Sequence, residues 1–153
     1  DNVYAEALLK TLGRLQEPTR LDTTTSGVNA VRSILTELGV NPNRFTMVDG
    51  SGLAERNRAS AEALVQTLQA MASQPEAQVF RRSLAVAGQS GTLKNRFVNS
   101  PARGIVAAKT GTISGVVSLA GYINAPGTSP LVFGVIVNSS NSASTVRAAV
   151  DEM

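Results

Sequence analysis

The stretch Ala107–Ile123, AAKTGTISGVVSLAGYI, decides how the chain reads. Two apolar segments rich in Ala, Val and Ile meet across Ile113-Ser114-Gly115, and a lysine interrupts the first of them. A gap this short joins antiparallel neighbours, because parallel strands need a crossover of about a dozen residues. A third apolar run, LVFGVIVN at 131–138, follows after NAPGTSP, so the pattern predicts a three-strand antiparallel meander. Ala107, Ala108, Gly121 and Gly134 recur where something must pack close to the sheet. Lys109-Thr110-Gly111 reads as the C-terminal end of the first strand, just before a tight turn. Such a strand end offers an ammonium to a carboxylate or to a neighbouring acid, a threonine hydroxyl, and the backbone N–H of Thr112 for a developing oxyanion. Gly111 lets a peptide ligand lie against the backbone.

Working outward, Ala5, Leu8, Leu9 and Leu12 share one face of a helix over 3–12, with Gly13 as its stop. Residues 14–26, with Pro18 and DTTTSG, read as a loop ending in caps. A second helix over 27–38 carries Val28, Val31, Leu35 and Leu38 and stops at Gly39. A short strand at 45–48 leads into DGSGL, a structural turn in which Asp49 bonds nearby backbone N–H groups. Ser60 caps a helix carrying Leu64, Leu68 and Met71, with Pro75 past its end. Residues 77–103 read as short helix, loop and turn, with Arg81-Arg82 as a solvated or salt-bridged pair. Val146, Ala149, Val150 and Met153 mark a last helix. Helices, a meander and a helix make an α+β layer arrangement, an antiparallel sheet flanked by helices.

Composition narrows the chemistry. The 153 residues carry a net charge of +3, with arginines spread along the chain, which gives little support to a nucleic-acid partner. No apolar run reaches membrane-spanning length. There is no cysteine, which removes disulfides and thiolate chemistry, and no histidine, which removes Ser-His-Asp triads and the commonest zinc ligands. Hydrolytic chemistry here must use lysine, carboxylates or hydroxyls.

Three blocks in order, VDGSGLAERNRAS, SLAVAGQSGTL and AAKTGTISGVVSLAGYI, resemble the penicillin-binding protein 4 type of D-alanyl-D-alanine carboxypeptidase/endopeptidase, within the serine penicillin-recognising enzymes. That superfamily carries S-x-x-K, an S-D-N type motif and K-T-G. Alone, Lys109-Thr110-Gly111 reads as readily as a solvated lysine at a strand end; DGSGL upstream and GVVSLAGYI downstream carry the resemblance. Asp1-Asn2, followed by VYAEALLKTLG, look like the last two residues of S-D-N, although a polar residue at a frayed terminus reads the same way. The departures are equally specific. The positions three residues before the lysines are Ala7, Gly91 and Val106, so S-x-x-K is absent. Ser139-Ser140-Asn141 has the letters of S-x-N but comes after K-T-G, out of the family's order. Ser51 has no base at a fixed spacing.

The resemblance implies a β-lactamase/transpeptidase-like fold, present here as a partial domain. It makes 1–153 the C-terminal portion of that domain, with the catalytic serine upstream. It implies a serine D-Ala-D-Ala carboxypeptidase that cleaves peptidoglycan stem peptides through an acyl-enzyme, is acylated by β-lactams, and is inactive without its N-terminal portion. Asn2 and Lys109 would be catalytic; Thr110, Gly111 and Thr112 would bind substrate. No cofactor or metal is implied. The substrate places the protein outside the cytoplasmic membrane, in the periplasm of a bacterium that has one. The competing reading is a non-catalytic module that binds D-Ala peptides or acts as a structural interaction domain.

Overall fold

The computed structural model describes residues 1–152, which form two compact units: Asp1–Thr67, and a second that opens at Leu68. Met153, expected on the last helical stripe, lies outside the described residues.

The first unit is built on a helix pair. Helix α1 runs Asn2–Gln16, and Asp1 caps it by accepting from Val3 N–H at 2.9 Å. Helix α2 runs Thr23–Glu37 and is capped by Asp22, which accepts from Thr25 N–H at 3.0 Å and Thr25 Oγ1 at 2.6 Å. Two expectations are corrected here. Gly13 does not end α1, which continues a further turn to Gln16 ahead of Pro18. Thr23–Ser26 are the first turn of α2, because the capping aspartate lies earlier than expected.

Gly13 is buried at the crossing of the two helices. A Cβ there would strike the Thr23 carbonyl and stand 2.6 Å from Gly27 N. A Cβ on Gly27 would in turn strike the Leu9 carbonyl. The two glycines bring the backbones together, so they mark an interface and not a terminus. Of the predicted stripe on α1 only Leu9 is fully buried, while Leu8 is 69% exposed. Beyond α2, Gly39 takes φ +89° and Val40 N–H bonds back to Leu35 O, which confirms the predicted stop.

The predicted strand is shorter than expected. Strand β1, Phe45–Thr46, pairs antiparallel with β2, Arg58–Ala59, a partner with too little apolar pattern to show in the sequence. Helix α3, Ala61–Ala72, comes next, and Ser60 caps it by accepting from Ala63 N–H at 3.0 Å, as expected.

The second unit carries helix α4, Ala77–Ser83, and four strands: β3, Ala85–Val86; β4, Val106–Ile113; β5, Val116–Ile123; and β6, Leu131–Asn138. The sheet order is β3-β4-β5-β6, all antiparallel. The meander was legible, but β3 was not, since two residues carry no alternation. Ile113 belongs to β4 and pairs with Val116, leaving Ser114-Gly115 as a two-residue turn with Gly115 at φ +71°.

Helix α5, Ala143–Asp151, is capped by Ser142 and packs on the sheet. Val146 and Val150 join Val106, Ala108, Val117 and Leu119 in the core. Ala149, expected on that face, is exposed. Arg96 clamps the helix end: its Nε lies 3.0 Å and its Nη2 2.5 Å from the Asp151 carboxylate. On the opposite sheet face Tyr122 is wholly buried, and its hydroxyl donates to Leu68 O at 2.7 Å. Arg81 lies over its ring at 4.5 Å, so this arginine is a packing residue and not the solvated or salt-bridged one expected, whereas Arg82 is exposed.

Gly13→Ala tests the helix crossing. On an open helix face the change would stabilise by about 1 kcal/mol. Here the added methyl must push two backbones apart, and the expected outcome is a loss of about 1–3 kcal/mol in urea unfolding of the full-length protein.

Candidate functional site

In the second unit the site is set by where β3 begins. Its two residues pair with β4 only at Ala107 and Ala108. From Lys109 onward β4 is bonded to β5 on one side and, among the described residues, has no strand on the other. The expectation that K-T-G closes the strand is therefore corrected: Lys109 sits in mid-strand, and its distinction is an open edge. β4 continues because β5 pairs with it through Ile113.

The ladder fixes which backbone groups face that edge. Ile105 O accepts from Asn124 N–H on the β5 side, whereas Val106 O accepts from Ala87 N–H on the β3 side. In an antiparallel ladder the direction alternates residue by residue. Ala107, Lys109, Gly111 and Ile113 thus bond towards β5. The N–H and C=O of Thr110 and Thr112 point away from the sheet. This agrees with Lys109 Nζ, which donates to the free Thr110 carbonyl at 2.6 Å.

Side chains alternate on the other axis. Lys109 and Gly111 lie on the Tyr122 face; Thr110 and Thr112 lie on the α5 face. Lys109 and Thr112 are exposed, and Thr110 is half-buried. Thr110 Oγ1 donates to Thr92 Oγ1 at 2.9 Å. Thr92 belongs to a 3₁₀ turn, Gly91–Leu93, that comes after β3. Sequence reasoning missed this residue, although it lies inside the block SLAVAGQSGTL. Gly111 has a reason internal to the sheet, beyond the ligand access expected of it: a Cβ there would strike Ser118 Oγ across the ladder.

In the first unit Asn2 is the first residue of α1 and is exposed. The DGSGL loop packs beside it. Gly50 N–H donates to Glu6 Oε2 at 2.7 Å, and a Cβ on Gly50 would stand 2.7 Å from Ala5 O, so only glycine allows this approach. A hollow of about 390 Å³ lies here, lined by Asn2, Glu6, Lys10, Ser51 and Leu53 among others. Asp49 organises the loop as expected. It accepts from Gly52 N–H, Ala54 N–H, Ser51 Oγ and Asn57 Nδ2 at 2.8–3.0 Å. Ser51 is thereby engaged as a donor within the turn, to a carboxylate already committed to Gly52, Ala54 and Asn57. Burial pushes the Asp49 carboxyl up, but the bonds from Asn57, Ser51, Gly52 and Ala54 outweigh it and hold the group below its ordinary 3.8. The structure brings Lys109, Thr110, Gly111 and Thr112 onto one strand edge; Asn2 stands in the other unit.

A family model for the D-Ala-D-Ala carboxypeptidase 3 (S13) family matches residues 1–153, and the chain belongs to that family. It is 40% identical over 156 residues to a D-alanyl-D-alanine carboxypeptidase of Actinomadura sp. (strain R39), covering 99% of this chain and 28% of that protein. It is 34% identical over 155 residues to the penicillin-sensitive carboxypeptidase A of Dictyostelium discoideum, covering 95% of this chain and 29% of that protein. Among solved structures, penicillin binding protein 4 from Haemophilus influenzae, complexed with a β-lactam, superposes with a TM-score of 0.84 at 25% identity, covering 99% of this chain and 36% of that one. The chain thus spans under a third of the length of these two relatives. The α+β arrangement is that of the β-lactamase/transpeptidase-like, penicillin-recognising proteins. Among the described residues no helix is long and apolar enough to cross a membrane.

Asp49→Asn tests the loop. A group whose folded pKa is depressed stabilises the fold above its unfolded pKa, and that contribution is lost as pH falls through the folded value. The stability gap between wild type and Asp49→Asn should be constant above about pH 5 and close progressively below about pH 4, measured by urea unfolding at each pH.

Proposed function

We propose that the full-length protein is a serine D-Ala-D-Ala carboxypeptidase/endopeptidase acting on peptidoglycan stem peptides, and that this chain supplies the substrate-aligning strand of its active site. Residues 1–153 form the C-terminal portion of the transpeptidase-like domain, and the residues that bear the nucleophile lie N-terminal to them. The observation that carries the reading is the open edge of β4, where a lysine ammonium and the outward backbone groups of Thr110 and Thr112 stand in a row.

A peptide ending in D-alanine can lie along such an edge as an added strand, bonding to those outward groups. The serine oxygen attacks the carbonyl between the two D-alanines, and its proton passes to a lysine partner. The terminal D-alanine leaves with a proton, and water then cleaves the acyl-enzyme ester. Thr112 N–H faces the developing oxyanion, a contribution of about 3 kcal/mol for one donor. Thr110 and Thr112 hydroxyls hold the terminal carboxylate, and Gly111 keeps the strand surface low. Lys109 supplies positive charge beside that carboxylate and supports proton movement. Asn2 takes its role from motif order: a hydrogen bond to the substrate amide and to the nucleophile's lysine. β-Lactams, whose amide is presented in the same sense, acylate the same serine. A peptidoglycan substrate places the protein outside the cytoplasmic membrane.

The test is labelling of the full-length protein with a fluorescent penicillin, read on a denaturing gel. Wild type is expected to label, and Lys109→Ala to lose at least 100-fold in labelling rate, as removal of a principal electrostatic group does. Absence of label with retained binding of D-Ala-D-Ala peptide would point instead to the non-catalytic module.

Thr112→Pro removes the outward N–H together with the hydroxyl, so its rate is read against Thr112→Val, which removes the hydroxyl alone. Proline is tolerated where its missing N–H faces away from the ladder. Its expected effect is a loss of about 100–1000-fold in acylation rate with the melting temperature nearly unchanged.

A further inference from the structure

We propose that Thr92 is a positioning residue for Thr110, and that the two hydroxyls form a relay whose direction reverses when a ligand carboxylate reaches the β4 edge. The inference rests on the function proposed above. It starts from the 2.9 Å contact between Thr110 Oγ1 and Thr92 Oγ1. A hydroxyl has one proton to give and two lone pairs. With no ligand, Thr110 gives its proton to Thr92. A carboxylate only accepts. To bind one, Thr110 must turn its proton outward, and its oxygen then loses its partner unless Thr92 donates in return. The contact as it stands has Thr110 as donor; a small rotation of the Thr92 side chain lets Thr92 donate in return, since among the described residues its hydroxyl makes no other hydrogen bond. A hydroxyl that accepts while it donates is polarised into a stronger donor, and its bond to a carboxylate is charge-assisted.

The spacing is held by a rigid turn. Val86 N–H donates to Ser90 Oγ at 3.0 Å, Ser90 N–H to Val86 O at 3.0 Å, and Gly88 N–H to Leu93 O at 3.0 Å. Leu93 is wholly buried beside Thr92 and anchors the turn in the core. Gly91 allows the turn to close, with φ +55° and room for no more than a hydrogen: a Cβ would stand 2.9 Å from Ala85 Cβ. Ala85 itself pairs with Ala108, two residues before Thr110. Thr92 therefore stands in a turn packed beside the start of β3, next to the β4 residue it serves. An exposed hydroxyl pair competes with water and adds little to folding stability. Its consequence is to fix where the Thr110 proton points.

The experiment measures the second-order acylation rate of the full-length protein by benzylpenicillin and by its methyl ester, in which the carboxylate is masked. Thr92→Val keeps the shape and deletes the hydroxyl; Thr92→Ser keeps the hydroxyl. The relay predicts a loss of about 10-fold for Thr92→Val with benzylpenicillin, less than about 2-fold with the ester, and rates for Thr92→Ser close to wild type, with melting temperatures unchanged. Equal losses with acid and ester would make Thr92 a general structural support and overturn the proposal. So would a Thr92→Val rate equal to wild type, or a Thr92→Ser rate as low as that of Thr92→Val. A wild-type protein that neither compound acylates would instead overturn the proposed function, and the relay with it.

Discussion

The open edge of β4 is the constraint on which the functional reading depends. An unpaired strand edge is normally a liability, because it offers bare N–H and C=O groups to any extended chain. In this protein it is short and placed with purpose. β3 meets the edge first opposite Ala108, directly after Leu84, and runs away from Lys109 towards Val106 before folding back through Ser90 and Gly91. Past Ala108, β4 carries a lysine, two threonines and a glycine, with the outward backbone groups belonging to the threonines. The two-residue length of β3 thus decides which residues can meet a peptide. A β3 extended at its N-terminal end, through Leu84 and Ser83, would pair with the Thr110 side of β4 and close the edge.

Everything else in the second unit keeps that edge straight and fixed. β5 pairs with β4 along all eight residues, and β6 pairs with β5 likewise. α5 packs on one face through Val146 and Val150, and the Arg96 clamp on Asp151 ties its end to the segment that leads into β4. The segment between the 3₁₀ turn and β4 contains Phe97, the single non-glycine residue at positive φ among those described. Its ring is packed against the core and lies under Arg96, so side-chain packing offsets an unfavourable backbone there. The first unit solves a different problem. Two glycines let α1 and α2 cross at backbone distance, and a third, Gly50, lets the Asp49 loop rest against the first turns of α1.

The parts of the fold that were legible are those with a strong period or a local cap. The β4-β5-β6 meander arises from three Val- and Ile-rich runs and short gaps. The stops and caps at Gly39 and Ser60 arise from residues whose chemistry acts within four positions. The carboxylate network of Asp49 was also legible, because its donors lie within eight residues of it. The features that were missed have long-range causes. Gly13 looks like a terminator in sequence; only its partner Gly27 makes it an interface. β2 and β3 are two-residue strands that exist because a distant segment pairs with them. Arg81 read as solvated or salt-bridged until Tyr122 placed a ring beneath it.

The candidate site divides in the same way. The sequence by itself determined the residue types, the absence of histidine and of S-x-x-K, the order of the three blocks and hence the family. These are one-dimensional facts, fixed by spacing along the chain. The tertiary structure decided which atoms of Lys109, Thr110 and Thr112 are free. That depends on where β3 starts, on the parity of a ladder, and on which face each side chain takes. A one-residue slip in register would reverse all three. Thr92 belongs wholly to this second class. It is 18 residues from Thr110, and no local pattern joins them; the fold brings their hydroxyls together.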